Sequence, residues 1–280
     1  MTVIVKPDNR PVTTVEGDGP MILGLPHSGT FVPREIWDTL NGIGRKLADT
    51  DWHVDRLYEG LHRGLTTVAA NFHRYVIDPN RSPNDGDLYP GKNSTGLVPL
   101  TDFEGKSIWK IAPSSEDIFA RQRDYHAPYH AALKAQIARV KAKHGLAILY
   151  DCHSIRGEIS YLFEGRLPDL NIGDNSGASC SPLITKSVAD ICEDAEGFTH
   201  VVNGRFRGGW TTRHYGRPGD NVHAIQMELV QALYLKSERA PYDYDFEKAK
   251  SLRLVLREIL TAINTVAHNT SALSGALSET

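Results

Sequence analysis

A chain of 280 residues with 40% hydrophobic and 23% charged residues has the composition of an ordinary globular protein, long enough to bury a sizeable core. Its formal net charge of −3 supplies no electrostatic reason to bind nucleic acid or an anionic membrane, and no apolar run approaches the roughly 20 residues of a membrane span. Cys152, Cys180 and Cys192 are too few and too scattered for a disulfide framework or a cysteine-based zinc motif.

The opening stretch MTVIVKPDNRPVTT lacks a basic flank followed by an apolar core, so no secretory signal is expected and the reading is cytoplasmic. PMILGLPHSG predicts a short buried strand, Met21 to Leu25, that runs into a turn. REIWDTLNGIG and DWHVDRLYEGLHRG carry apolar residues at helical spacing, each closing on glycine. TTVAANFHRYVID, rich in β-branched and aromatic residues, predicts a strand that stops at Pro79. The Pro- and Gly-rich tract from Pro79 to about Leu100 reads as a long ordered loop, a kind that is usually functional. The segment from Ser114 to His144 is the clearest helix, with serine caps before Glu116 and Asp117, Gly145 beyond its last turn and a kink at Pro128. A strand LAILY follows, then the Gly-rich LNIGDNSGAS, a candidate lid over a site. Helix PLITKSVADICEDA, strand NVHAIQMEL and a C-terminal helix from about Asp245 to His268 complete the pass. No repeat or linker tract divides the chain, so residues 1–280 read as one domain. Strands alternating with helices indicate an α/β sandwich with a mixed or largely parallel sheet, in which ligands bind outside the carboxyl ends of strands.

Reactive side chains stand at those ends. They are His27 in LPHSGT; Asp49, Asp51, His53 and Asp55 in LADTDWHVD; Arg74, Asp78, Asn80 and Arg81 in HRYVIDPNR; Asp151, Cys152, His153 and Ser154 in DCHS; and Glu228 in IQMEL. Two histidines and an acid from separate segments can form a catalytic zinc site, and Glu228 can then be the general base. The acids of LADTDWHVD also suit helix caps and first turns. His126 and His130 have chelating spacing, but Pro128 lies between them and no acid is near, so packing is the better reading.

Taken together, PHSGTFVP, LADTDWHVDRLY, RYVIDPNR, YDCHSIRG, NGRFRGGWTTRHYGRP and HAIQMEL resemble the N-formylglutamate amidohydrolase family over roughly Leu23 to Leu235. The resemblance extends to zinc carboxypeptidases and aspartoacylases and implies their α/β fold: a three-layer sandwich with a mixed, largely parallel sheet. Those relatives bind zinc through His-x-x-Glu and a later histidine. Here Thr30 stands where the glutamate would be, so the resemblance implies zinc held by His27, His153 and either Asp51 or Asp49, with Asp51 preferred. It further implies Asp151 as an orienter of His153, Glu228 as general base and Arg74 as the oxyanion donor. Asn80 and Arg81 are implied for the α-carboxylate of a small-molecule substrate. Among Arg205, Arg207, Arg213 and Arg217, Arg213 is preferred for the distal carboxylate, with Arg205 next. The implied reaction is cleavage of N-formyl-L-glutamate to formate and L-glutamate in histidine degradation. Three alternatives stand beside it: another N-acyl amino acid as substrate, Cys152 as nucleophile with His153 or His27 as base, and a ligand-binding protein without the chemistry. The sequence leaves the oligomeric state open.

Overall fold

In a computed structural model, which describes residues 10–84 and 91–269, seven strands form one mixed sheet. They are β1 (Val12–Val15), β2 (Met21–Leu25), β3 (Thr66–Ala70), β4 (Ala147–Ile155), β5 (Leu170–Gly173), β6 (His200–Val202) and β7 (Val222–Val230), in the spatial order β1-β3-β2-β4-β7-β5-β6. The β3-β2-β4-β7 centre and the β5-β6 pair are parallel, whereas β1 on β3 and β5 on β7 are antiparallel. Most of the opening stretch, and residues 85–90 of the expected long loop, lie outside the described residues.

Helices cover both faces, making three layers. Helices α2 (Val54–Tyr58), α5 (Pro182–Asp194) and α7 (Phe246–His268) pack on one face through Leu57, Ile184, Val188, Leu256 and Ile259. Helices α1 (Arg34–Thr39) and α4 (Ala127–His144) pack on the other through Ile36, Tyr129, Leu133 and Val140. α7 buries Leu252, Leu256, Ile259, Leu260 and Ile263, a helical stripe in which each side chain contributes about 1.5–3 kcal/mol of apolar burial. Two further helices, α3 (Ser115–Arg121) and α6 (Trp210–Tyr215), lie near the carboxyl ends of the central strands or lead into α4. No helix among the described residues is long and apolar enough to cross a membrane.

Five elements differ from their sequence expectation. The strand expected to reach Pro79 ends at Ala70, and residues 72–77 turn while staying buried; their aromatic and β-branched character marks burial, not extension. β4 does not end at Tyr150 but runs through Asp151, Cys152, His153 and Ser154 to Ile155, because its neighbour β7 is equally long and pairs with it residue for residue. LNIGDNSGAS, expected as a lid, begins with the buried strand β5. α1 and α2 are single short turns, α1 ending at Thr39 and α2 at Tyr58 before the glycines are reached.

Candidate active site and metal centre

Alternation along the central strands decides which side chains can meet. On β4, Ile148, Tyr150 and Cys152 enter the α5/α7 core, while Ala147 and Leu149 face α4. Asp151 and His153 share the parity of Ala147 and Leu149 and therefore face the α4 side. On β7, Ala224 faces the same side, carrying Gln226 and Glu228 with it, and the register sets Asp151 beside Gln226 and His153 beside Glu228. β2 contributes Gly24 next to Asp151, where a Cβ would press on the Asp151 carboxylate at 3.1 Å, and then delivers His27 just past its end.

The Asp51 loop is tied to both strands. Its amide donates to the His27 carbonyl (3.1 Å), and its Oδ2 accepts the Ser154 amide (3.1 Å). As a result His27 Nδ1 and His153 Nδ1 lie 3.2 Å apart, with Asp51 Oδ2 3.2 Å from the second and 3.7 Å from the first. These three buried residues form a group able to hold a metal ion, their ligand atoms all within 4.8 Å of one another. Each ring has a carboxylate behind it: His27 Nε2 lies 2.7 Å from Asp78 Oδ1 and His153 Nε2 lies 3.2 Å from Asp151 Oδ2. With a metal bound at Nδ1, these carboxylates would hold the proton on Nε2 of each ring, the arrangement that imidazole ligands of a metal need. Two imidazoles, one carboxylate and a carboxylate behind each ring make a donor set that fits zinc with an open position.

The electrostatics follow from burial and pairing. Burial raises the Asp51 carboxyl, but hydrogen bonds from His153 and His27 outweigh it and hold the group well below the usual carboxylate range. Burial likewise opposes ionisation of Asp78, yet the His27, Arg74 and Arg81 charges keep it well below that range. Burial lowers His153, and the Asp151 carboxylate overrides this and lifts it well above the usual imidazole value. Burial pushes Glu228 up to about 8, and Gln226 Nε2 donates to its Oε2 at 3.1 Å. Arg74 Nη2 comes within 2.7 Å of both His27 ring nitrogens and 3.2 Å of Asp78 Oδ2, with the Phe103 ring 5.0 Å from its guanidinium carbon.

One cavity gathers most of these groups. His27, Asp51, Arg74, Asn80, Arg81, His153, Arg205 and Glu228 line it, together with Phe103, Leu162 and Phe206. Asp49 is not in the group. It accepts the Tyr75 hydroxyl (2.6 Å) and the Phe103 amide (2.9 Å), and burial raises it to about 6. Arg213, preferred from the sequence for the distal carboxylate, is not among the lining residues; it borders a separate, shallower depression with Arg217 and Asp220. Arg205 lines the cavity instead. The segment GRFRGGWTTRHYGRP is less of a loop than its glycines suggest, since it contains α6, and the Thr211 amide donates to Asn80 Oδ1 at 2.9 Å. Gly209 permits that approach, because a Cβ there would overlap the Asn80 carboxamide.

Cys152 points into the opposite core, fully buried, and burial followed by the Asp151 and Asp51 charges raises its thiol far above the usual value, so it does not meet His153 or His27. Asp78 and Gln226 had no assigned role in the sequence reading. Their signals were there: Asp78 stands four residues after Arg74 in RYVID, and Gln226 two before Glu228 on one strand face.

The family model for N-formylglutamate amidohydrolase matches residues 19–235. The chain is 43% identical over 250 residues to the N-formylglutamate deformylase of Pseudomonas aeruginosa, covering 88% of this chain and 93% of that protein. It is 41% identical over 251 residues to the N-formylglutamate deformylase of Pseudomonas putida, covering 89% and 93%. The crystal structure of an N-formylglutamate amidohydrolase from Ralstonia eutropha JMP134 superposes with a TM-score of 0.76 at 26% identity, over 90% of this chain and 97% of that one.

Proposed function

The chain belongs to the N-formylglutamate amidohydrolase family, and we propose that it hydrolyses N-formyl-L-glutamate to formate and L-glutamate with a zinc ion held by His27, Asp51 and His153. The observation that carries the reading is the convergence of that group with Glu228 and three arginines in one cavity. When bound, the ion polarises the formyl carbonyl and lowers the pKa of water at the site.

The rest of the chemistry belongs to side chains. Glu228 takes the proton of the attacking water and hands it to the departing amine; a carboxyl lifted by burial to about 8 can both accept and return a proton near neutral pH. The Arg74 guanidinium, fixed beside His27 and Asp78, stabilises the charge that grows on the carbonyl oxygen, a role whose loss typically costs about 3–4 kcal/mol in the barrier. Arg81 is braced by the Thr95 and Asn80 carbonyls, and Arg205 by the Leu162 and Asn93 carbonyls. Held in this way, the two guanidinium forks serve the two carboxylates of the substrate with little ordering left to do on binding. The formyl group offers almost no contact area, so binding through these carboxylates is what orients the amide.

The test is hydrolysis of N-formyl-L-glutamate by the purified protein, with and without a chelator, alongside elemental analysis. Turnover that the chelator abolishes and zinc restores is the expected result. Bound metal with turnover only of another N-acyl amino acid would overturn the substrate, and turnover unaffected by complete metal removal would overturn the mechanism.

A further inference from the structure

His126 and His130, which the reaction does not use, lie with their ring centroids 4.4 Å apart at the junction of α3 and α4. They stand one α-helical turn apart at the start of α4, where an irregularity ends. Residues Gln122–His126 form a π turn between the two helices, immediately before Pro128. A proline has no amide hydrogen and its ring collides with the carbonyl four residues back, so a wider turn ahead of it relieves the clash. The start of α4 presents both imidazoles to the Pro79–Arg81 backbone. His130 Nε2 donates to the Pro79 carbonyl at 2.8 Å, and His126 Nε2 donates to the Arg81 carbonyl at 3.0 Å. The two bonds straddle Asn80, whose own carboxamide accepts the Thr211 amide.

Neither ring is at liberty to swing away. Trp210, the first residue of α6, packs against both, with centroid separations of 5.7 Å and 4.6 Å, and His130 Nδ1 lies 3.0 Å from the Tyr215 hydroxyl. Burial, then the neighbouring His126, hold His130 down to about 3, so it remains a neutral ring with Nε2 as donor and Nδ1 as acceptor.

We propose that His126 and His130 are positioning residues that clamp the Pro79–Arg81 backbone and thereby set the affinity for the substrate carboxylate that Arg81 receives. The assignment of Arg81 rests on the functional reading above; the clamp itself rests on the two bonds. Replacing a donor with an isosteric apolar ring removes the partner of a part-buried carbonyl and lets the segment move, so His130→Phe and His126→Phe should each raise KM for N-formyl-L-glutamate about tenfold. Turnover number and bound metal should change less than KM does, because neither imidazole touches the metal group or Glu228, and the segment meets that group only indirectly, through the Asn80 carboxamide 3.1 Å from His153 Nε2 and the Asn80 amide on Asp78. His130→Gln, which keeps an N–H near the Nε2 position, should recover most of the lost affinity.

Hydrogen exchange supplies a readout that needs no substrate. The Asn80 amide bonds to Asp78 Oδ1 (2.8 Å) and the Arg81 amide to the Asp78 carbonyl (3.2 Å), and both should exchange faster in the phenylalanine variants. Unchanged KM together with unchanged exchange in a folded variant would overturn the clamp. If the unaltered protein does not hydrolyse N-formyl-L-glutamate, the functional reading fails, and the exchange of these two amides alone decides the clamp. Should His130→Phe fail to fold, His126→Phe carries the same expectations and the same refutation.

Discussion

Asp49 and Asp51 are two positions apart and equally buried, yet they meet different partners. Asp51 faces His27 and His153, and Asp49 turns toward Tyr75 and Phe103. The difference gives a direct prediction. Asp51→Asn should lose bound metal in elemental analysis, because a neutral amide is a poor ligand and pairs badly with two imidazole donors. Asp49→Ala should keep its metal and instead lose about 1–3 kcal/mol of stability in urea titration, since the Tyr75 hydroxyl and Phe103 amide are left without their acceptor. Metal retained by Asp51→Asn and lost from Asp49→Ala would reverse the ligand assignment.

At the scale of elements, β7 does more than carry Glu228. Its second residue, His223, is fully buried and accepts the amide of Ser181, the N-cap of α5, through Nδ1 at 3.2 Å. Burial holds His223 down to about 4, against an ordinary 6.5. The unfolded chain therefore binds this proton and the folded chain does not between those values, so stability is full above 6.5 and falls as pH drops toward 4. From pH 7 to pH 5 the loss should be about 2 kcal/mol. Asp49, raised to about 6, works in the opposite sense, so the measurement is the difference between the unaltered protein and His223→Gln. Parallel pH profiles for the two would remove His223 as the origin of the slope. β4 makes the related point that length is a tertiary property. Read alone, LAILY looks like a strand with a polar end, but pairing with β7 through Val230 extends it across all four reactive residues.

Across the whole molecule, the candidate metal group joins the end of β2, the Asp51 loop and the carboxyl half of β4, with Asp78 behind it from the turn after β3. These segments are far apart in sequence and near the centre of the sheet in space. A ligand that binds only the folded arrangement adds its binding free energy to stability, about 2.7 kcal/mol at a hundredfold excess over Kd. Chelation should therefore lower the melting temperature by roughly 5–10 °C, and zinc should restore it. The same shift should be absent in Asp51→Asn. A chelator effect of equal size in that variant would place the stabilising ion elsewhere.

The sequence by itself determined the α/β class, the central strands, the long helices and the presence of His27, His153 and Glu228 on strands or at their ends, because hydrophobic periodicity and residue type are local properties. The family resemblance over Leu23 to Leu235 was legible for the same reason, and the family model matches residues 19–235. Only the tertiary structure separated Asp51 from Asp49, put Arg205 rather than Arg213 on the cavity wall and set Asp78 behind His27. It also showed what His126 and His130, read from the sequence as packing residues, pair with: the Arg81 and Pro79 carbonyls. The physical reason is that local spacing specifies which groups a segment carries, whereas the partner each group meets depends on strand register, turn geometry and the pairing that low-dielectric burial enforces.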